Sequence, residues 1–210
     1  MNDFRRDIAI RKTCSILEEE YSFIFKDKVA LDFFAREGDW QTKYYAKKVK
    51  HIHAWEINPS FAKQLRKNLF EYGDVVIGDS FKLADETNIK FDIIVFDNPQ
   101  GCYGENNSYC EHFEALKFVP KLLNDGGGLV VFNVKLVPWK YDDKKEWKKR
   151  RNEFYKMKDC SNLSKDFIDS FYNNLFTSQG FKVDFSFMVK RPQEGGLYLY
   201  TIKLSRKSNL

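Results

Sequence analysis

Four acids occupy the same kind of place in this sequence. Asp32 lies within "VALDFF", Glu56 within "HIHAWEI", Asp79 closes "DVVIGD" and Asp97 closes "FDIIVFD". Each stands at or near the end of a short apolar run. An ionised carboxylate there accepts hydrogen bonds and donates none, which suits the hydroxyl and amino groups of a ligand. Glu56, twenty-four residues after Asp32 (56 − 32), is placed to accept from both hydroxyls of a bound ribose. Asp79 could accept from the exocyclic amine of an adenine, with Phe81 or Ile57 against the ring. Asp79 or Ser80 equally suits a helix N-cap, and the two roles are compatible.

Two loops qualify this reading. "DFFAREGDW" holds a single glycine, Gly38, where a pyrophosphate site would show three, and Glu37 and Asp39 add negative charge. A nucleoside with a cationic or zwitterionic tail fits such a loop better than a diphosphate. The second loop, Asp97-Asn98-Pro99-Gln100, ends an apolar run in an acid, an amide, a proline and another amide. A plain turn needs no such set.

The elements that must position these residues follow from hydrophobic periodicity. "DFRRDIAIRKTCSILEEEY" predicts an opening helix with Ile10, Cys14, Leu17 and Tyr21 on one stripe. Strands are expected at Val29–Phe34, His51–Ile57, Asp74–Asp79, Phe91–Asp97 and Leu129–Val134. Helices are expected in "DWQTKYYAKKV", after the Asn58-Pro59 cap, and around Glu111–Leu123. A capped helix "SKDFIDSFYNNLFTSQG" then precedes "FKVDFSFMV" and "GLYLYTIKL", which alternate as an antiparallel hairpin. Strands alternating with helices predict an α/β fold with a doubly wound, mostly parallel sheet covered by helices on both faces. Ligands of such sheets bind outside the carboxyl ends of the strands.

The 43% hydrophobic content, with 20 Phe and 11 Tyr, argues against disorder, and 210 residues fit one domain. The charged opening predicts no signal peptide, and no apolar run approaches a membrane span. Four cysteines without CxxC spacing suit reduced thiols, and a cytoplasmic location is expected. The net charge of +5 is concentrated in "KKEWKKRRNEFYKMK", 144–158, with eight Lys/Arg against two Glu. Basic residues interleaved with Trp147, Phe154 and Tyr155 suit a phosphate backbone with bases nearby, or a solvated helix face whose aromatics pack inward. His51 and His53, two apart on a strand, share a face and are expected to lie under a helix. Cys102, Cys110 and His112 are poorly spaced for a metal, and no metal site is expected.

From about Lys28 to Leu204 the chain resembles class I S-adenosylmethionine-dependent methyltransferases. "LDFFAREGD", "AWEINP", "VVIGDSF" and "FDIIVFDNPQG" look like four motifs of that family in order. The resemblance implies a seven-stranded sheet whose last strand is antiparallel, in one domain over 1–210. A helical lead-in would occupy 1–27 and a basic-aromatic insertion or lid 135–160. It implies that Asp32, Phe33, Gly38, Glu56, Ile57, Asp79, Ser80, Phe81 and Asp97 hold S-adenosyl-L-methionine. Members that methylate amino groups of nucleic-acid bases carry Asp/Asn/Ser-Pro-Pro-aromatic at the fourth motif. By that likeness Asp97, Asn98, Pro99 and Gln100 would face the acceptor amine. Gln100 replaces the stacking aromatic, and Tyr103 is the nearest substitute. Cys102, three residues past Pro99, is not expected to be a nucleophile. Trp139, Lys148, Lys149, Arg150 and Arg151 would contact a nucleic-acid substrate, RNA or DNA. A protein or small-molecule acceptor is a second reading. An inactive scaffold that only binds nucleic acid or a partner is a third.

Overall fold

The computed structural model describes residues 7–138, 144–192 and 195–207. Helix α1 (Ile8–Glu19) is followed by β1 (Val29–Asp32), α2 (Thr42–Ala46), β2 (His51–Glu56), α3 (Ala62–Leu69), β3 (Gly73–Ile77), α4 (Ser80–Glu86) and β4 (Ile93–Phe96). A small hairpin comes next, β5 (Cys102–Tyr103) and β6 (Tyr109–Cys110). A 3-10 turn, Glu114–Phe118, then runs into α5 (Val119–Leu122) and β7 (Gly128–Lys135). Helices α6 (Lys145–Tyr155) and α7 (Lys165–Ser178) precede β8 (Phe181–Lys190) and β9 (Leu197–Arg206).

Seven strands form one sheet in the order β3-β2-β1-β4-β7-β9-β8. Strands β1, β2, β3, β4 and β7 pair in parallel, whereas β9 pairs antiparallel with both β7 and β8. The chain winds outward from β1 to β3 and then returns to β4 beside β1. This reversal opens a crevice at the carboxyl ends of β1 and β4. One face packs α1, α2 and α3 through Ile10, Leu17, Tyr45 and Leu65 on Ala30, Ile52 and Val131. The other packs α4, α5, α6 and α7 through Phe81, Leu122, Trp147 and Phe176 on Leu31, Ile94 and Phe132. Strand β4 is buried throughout, as a central parallel strand with helices on both sides must be. Among the described residues no helix is long and apolar enough to cross a membrane.

Three expectations change. The helix expected around Glu111–Leu123 is broken into a 3-10 turn and a short α-helix. Pro120 has no N–H to donate, and it lies in the first turn of α5, the position such a residue tolerates. The hairpin β5–β6 was not expected, because two-residue strands leave no periodic signal. His51 and His53 are not fully covered: His53 meets the edge of Phe91, while His51 stays partly exposed and bonds Asp74 at 2.9 Å.

Candidate active site

A cavity of about 1170 Å³ opens at the carboxyl ends of the strands. Glu56, Ile57, Asp79, Ser80 and Phe81 line one half, at the ends of β2 and β3. Asp97, Asn98, Pro99, Gln100, Tyr103, Asn133 and Arg191 line the other, beyond β4 and β7. Ten residues expected at a site from sequence therefore share this cavity: Glu56, Ile57, Asp79, Ser80, Phe81, Asp97, Asn98, Pro99, Gln100 and Tyr103.

Glu56 holds the floor of the first half. Its Oε2 accepts from Arg36 N–H at 2.8 Å and its Oε1 from Asn58 N–H at 2.7 Å, so one carboxyl group ties the loops after β1 and β2 together. Arg36 is held there at φ +50°, a left-handed conformation rare outside glycine. Each Glu56 oxygen keeps a second lone pair for a ligand hydroxyl. Asp79 caps α4, accepting from Phe81 N–H at 2.9 Å. Ser80 Oγ donates to Phe33 O at 2.7 Å, which locks α4 to the end of β1. Ile57 is 65% exposed and lines this half.

Asp97 organises the second half. Its Oδ1 accepts from Asn133 Nδ2 at 2.7 Å, Gln41 Nε2 at 2.8 Å and Arg191 Nη1 at 3.1 Å. Arg191 Nη1 also donates to Asn133 Oδ1 at 2.7 Å. Among the described residues no donor reaches Asp97 Oδ2. The carboxyl group is thus fixed by one oxygen and open at the other. Asn98 turns away from this opening: its Oδ1 accepts from Asn133 N–H at 3.0 Å and anchors the loop to β7. Gln100 Oε1 is buried with no partner. The hairpin β5–β6 brings in Tyr103 and Tyr109, the latter stacked on Phe81 with ring centroids 4.0 Å apart.

Several expected contacts lie elsewhere. Asp32 is buried off the cavity, where its Oδ2 accepts from Thr42 Oγ1 at 2.6 Å and Tyr45 OH at 3.0 Å. Burial above all, and then the charge of Asp97, raises its pKa to about 7, against the lowering effect of its hydrogen bonds. Phe33 is a core residue among Phe34, Trp55, Phe81 and Phe96. Gly38 has φ +66°, and a Cβ there would stand 2.8 Å from Leu65 Cδ1, so α3 rather than a cofactor requires the glycine. Arg151 is 0% exposed and paired with the equally buried Glu111. Its Nη2 also donates to Lys135 O at 2.7 Å. Arg150 bonds Glu114 and the carbonyls of Asn107 and Ser108. Both arginines therefore hold α6 to the 101–114 segment instead of offering themselves to a substrate. Lys148 and Lys149 lie on α6 outside the cavity lining, and Trp139 lies outside the described residues. Burial pushes the Cys102 thiol up, which disfavours a thiolate nucleophile. His112 is buried and bonds the Tyr172 hydroxyl.

Sequence reading missed Gln41, Asn133, Arg191 and Trp40. Asn133 carried a signal: an amide inside "LVVFNV", a run apolar enough to be buried on both faces, needs a polar partner. Arg191 carried none, since it arrives from a hairpin nearly a hundred residues after Asp97.

No family model and no curated protein matches the sequence. Solved structures do match. A tRNA m1G37 methyltransferase of M. jannaschii superposes with TM-score 0.52 at 17% identity, over 89% of this chain and 46% of that one. Trm5b from Pyrococcus abyssi gives 0.51 at 19%, over 92% and 48%, so the chain spans about half the length of both. The 1,6-didemethyltoxoflavin-N1-methyltransferase of Burkholderia thailandensis, solved with that compound and S-adenosylhomocysteine, gives 0.59 at 15%, over 97% and 81%. With the strand order and the antiparallel β9, these likenesses give the chain the fold of class I S-adenosylmethionine-dependent methyltransferases.

Proposed function

We propose that this chain is an S-adenosylmethionine-dependent methyltransferase whose acceptor is a nitrogen on a nucleic-acid base, an exocyclic amine being favoured. The observation that carries the reading is Asp97, held through Oδ1 by three donors and open at Oδ2 toward the cavity. An open carboxyl oxygen accepts from the acceptor's N–H and turns its lone pair, and orientation of this kind accounts for much of the rate of such a reaction. Asn133, Gln41 and Arg191 are positioning residues for Asp97.

The cavity fits the cofactor. Glu56 suits the ribose hydroxyls, and Ile57 and Phe81 suit the two sides of a purine. At about 1170 Å³ the space exceeds what one small ligand ordinarily fills, leaving room for an acceptor. S-adenosylmethionine would supply an electrophilic methyl group; the chain's own residues bind and orient. Acting on RNA also agrees with the tRNA methyltransferase among the structural neighbours.

A small-molecule acceptor is the second reading. It is favoured by the internal pairing of Arg150 and Arg151, which removes two of the cations a nucleic acid would meet. Calorimetric titration with S-adenosylmethionine and S-adenosylhomocysteine tests the common ground, with micromolar binding of either expected. Transfer of a labelled methyl group to RNA or DNA would then support the first reading. Cofactor binding without transfer to any nucleic acid would sink it and leave the second. Absence of cofactor binding, with and without nucleic acid, would favour an inactive scaffold.

A further inference from the structure

The amino ends of β2 and β3, opposite the cavity, hold a second group of polar side chains. The parallel register sets His53 of β2 directly beside Asp74 of β3, and His51 projects from the same face two residues earlier. His51 Nε2 lies 2.9 Å from Asp74 Oδ2, and His53 Nδ1 lies 3.9 Å from the same oxygen. Among the described residues these three side chains form a cluster whose donor atoms all fall within 4.8 Å of one another.

We propose that His51, His53 and Asp74 bind a divalent transition-metal ion of the zinc class. Zinc bonds imidazole nitrogen and carboxylate oxygen at about 2.0–2.2 Å, so neighbouring ligand atoms of a tetrahedral site stand roughly 3.4 Å apart. The distances of 2.9 and 3.9 Å bracket that value and need only small side-chain rotations to meet it. Two imidazoles and one carboxylate select zinc, nickel or copper over magnesium or calcium, which prefer oxygen-only sets. Strand backbones fix all three Cα positions. The side chains are 37%, 16% and 65% exposed in the order His51, His53, Asp74. An ion can therefore enter from solvent, and the remaining coordination positions are open to water or to a further ligand. The site is independent of the methyltransferase reading.

The test is zinc titration of the chelator-treated, tag-free chain by calorimetry, with thermal melting alongside. The wild type is expected to bind one equivalent and to melt higher with zinc. Loss of a direct ligand should cost at least the roughly 10–100-fold in affinity that loss of a supporting group costs, in His51→Ala and in His53→Ala alike. Asp74→Asn, nearly isosteric, guards against misfolding: it should melt like the wild type without zinc and bind zinc more weakly. No binding by the wild type up to millimolar zinc would overturn the proposal. So would undiminished binding in the His51→Ala/His53→Ala double variant, which would place the ion elsewhere, for instance at the cross-strand thiols Cys102 and Cys110.

Discussion

Two substitutions at Asp97 separate what its oxygens do for the fold from what the open Oδ2 does for a ligand. Asp97→Asn retains an Oδ1 for Gln41, Asn133 and Arg191 but replaces the open Oδ2 with an amide that donates. Methyl transfer should fall on the order of a hundredfold, the scale of one hydrogen bond lost in a transition state, with little change in cofactor affinity. Full activity would remove Asp97 from the reaction. Both variants remove the charge that faces Arg191, 3% exposed, but Asp97→Ala is the poorer probe, because it also removes the oxygen that Gln41, Asn133 and Arg191 share, a loss of about 3–5 kcal/mol in stability. Asp32 supports a prediction about pH. Its folded pKa of about 7 lies above the ordinary carboxylate value near 4, so the folded state binds the proton more tightly. Its contribution to stability is complete below pH 4 and is lost as pH rises through 7. The melting temperature of the wild type relative to Asp32→Asn should therefore fall between pH 4 and 7, and parallel profiles would refute the raised pKa. These residues also mark the limit of the sequence. Strand-end acids are legible because a carboxylate closing an apolar run is conspicuous. Which of them reaches a cavity is not: Asp32 ends its strand like Glu56, yet Thr42 and Tyr45 of α2 cover it.

At the scale of elements, strands were legible wherever burial on both faces forced a continuous apolar run, as in β1, β4 and β7. Helix α6 was legible only as one of two alternatives, a nucleic-acid-binding stretch or a solvated helix face whose aromatics pack inward, and its buried Trp147 and Tyr155 follow the second. Its Lys/Arg density suggests an outward cationic face, but a helix turns 100° per residue and points Trp147, Arg151 and Tyr155 inward. There Glu111, itself at φ +48°, accepts from both Trp147 Nε1 and Arg151. Glu111 is the residue that could have revealed the buried arginine, but sixty-odd Lys, Arg, Asp and Glu side chains give no reason in sequence to pair these two. Arg151→Ala should therefore destabilise the fold by about 3–5 kcal/mol through the uncompensated Glu111 carboxyl. Lys149→Glu, on the exposed side of the same helix, should stay within about 0.5 kcal/mol. Urea unfolding measures both, and equal effects would mean that α6 is not anchored by the buried pair.

Across the whole molecule, the charges that line the cavity are unevenly spread, although Arg36 stands with the acids and Arg191 is paired with Asp97. Glu56 and Asp79 stand over β2 and β3, while Lys135, Lys144 and Arg191 stand over the β7–β9 side. A cationic methyl donor suits the first side and an anionic acceptor the second. Lys144 lies at the edge of the cavity with its Nζ 5.8 Å from the Trp147 ring, and Lys145 and Lys149 continue along the exposed face of α6. A strand whose base enters the cavity would lay its phosphates along that line. If these three lysines each meet one phosphate of a single strand, the logarithm of affinity should fall against the logarithm of salt with a slope of about −2. Lys145→Glu/Lys149→Glu should weaken binding of all sequences alike and flatten the slope by about 0.7 for each phosphate left without its lysine. Cofactor affinity should not change if, as proposed, the cofactor occupies the half lined by Glu56 and Asp79. Binding that is indifferent to salt, with methyl transfer to a small anionic heterocycle intact in the double variant, would instead assign the basic side of the cavity to a compact substrate and leave α6 as a solvated wall.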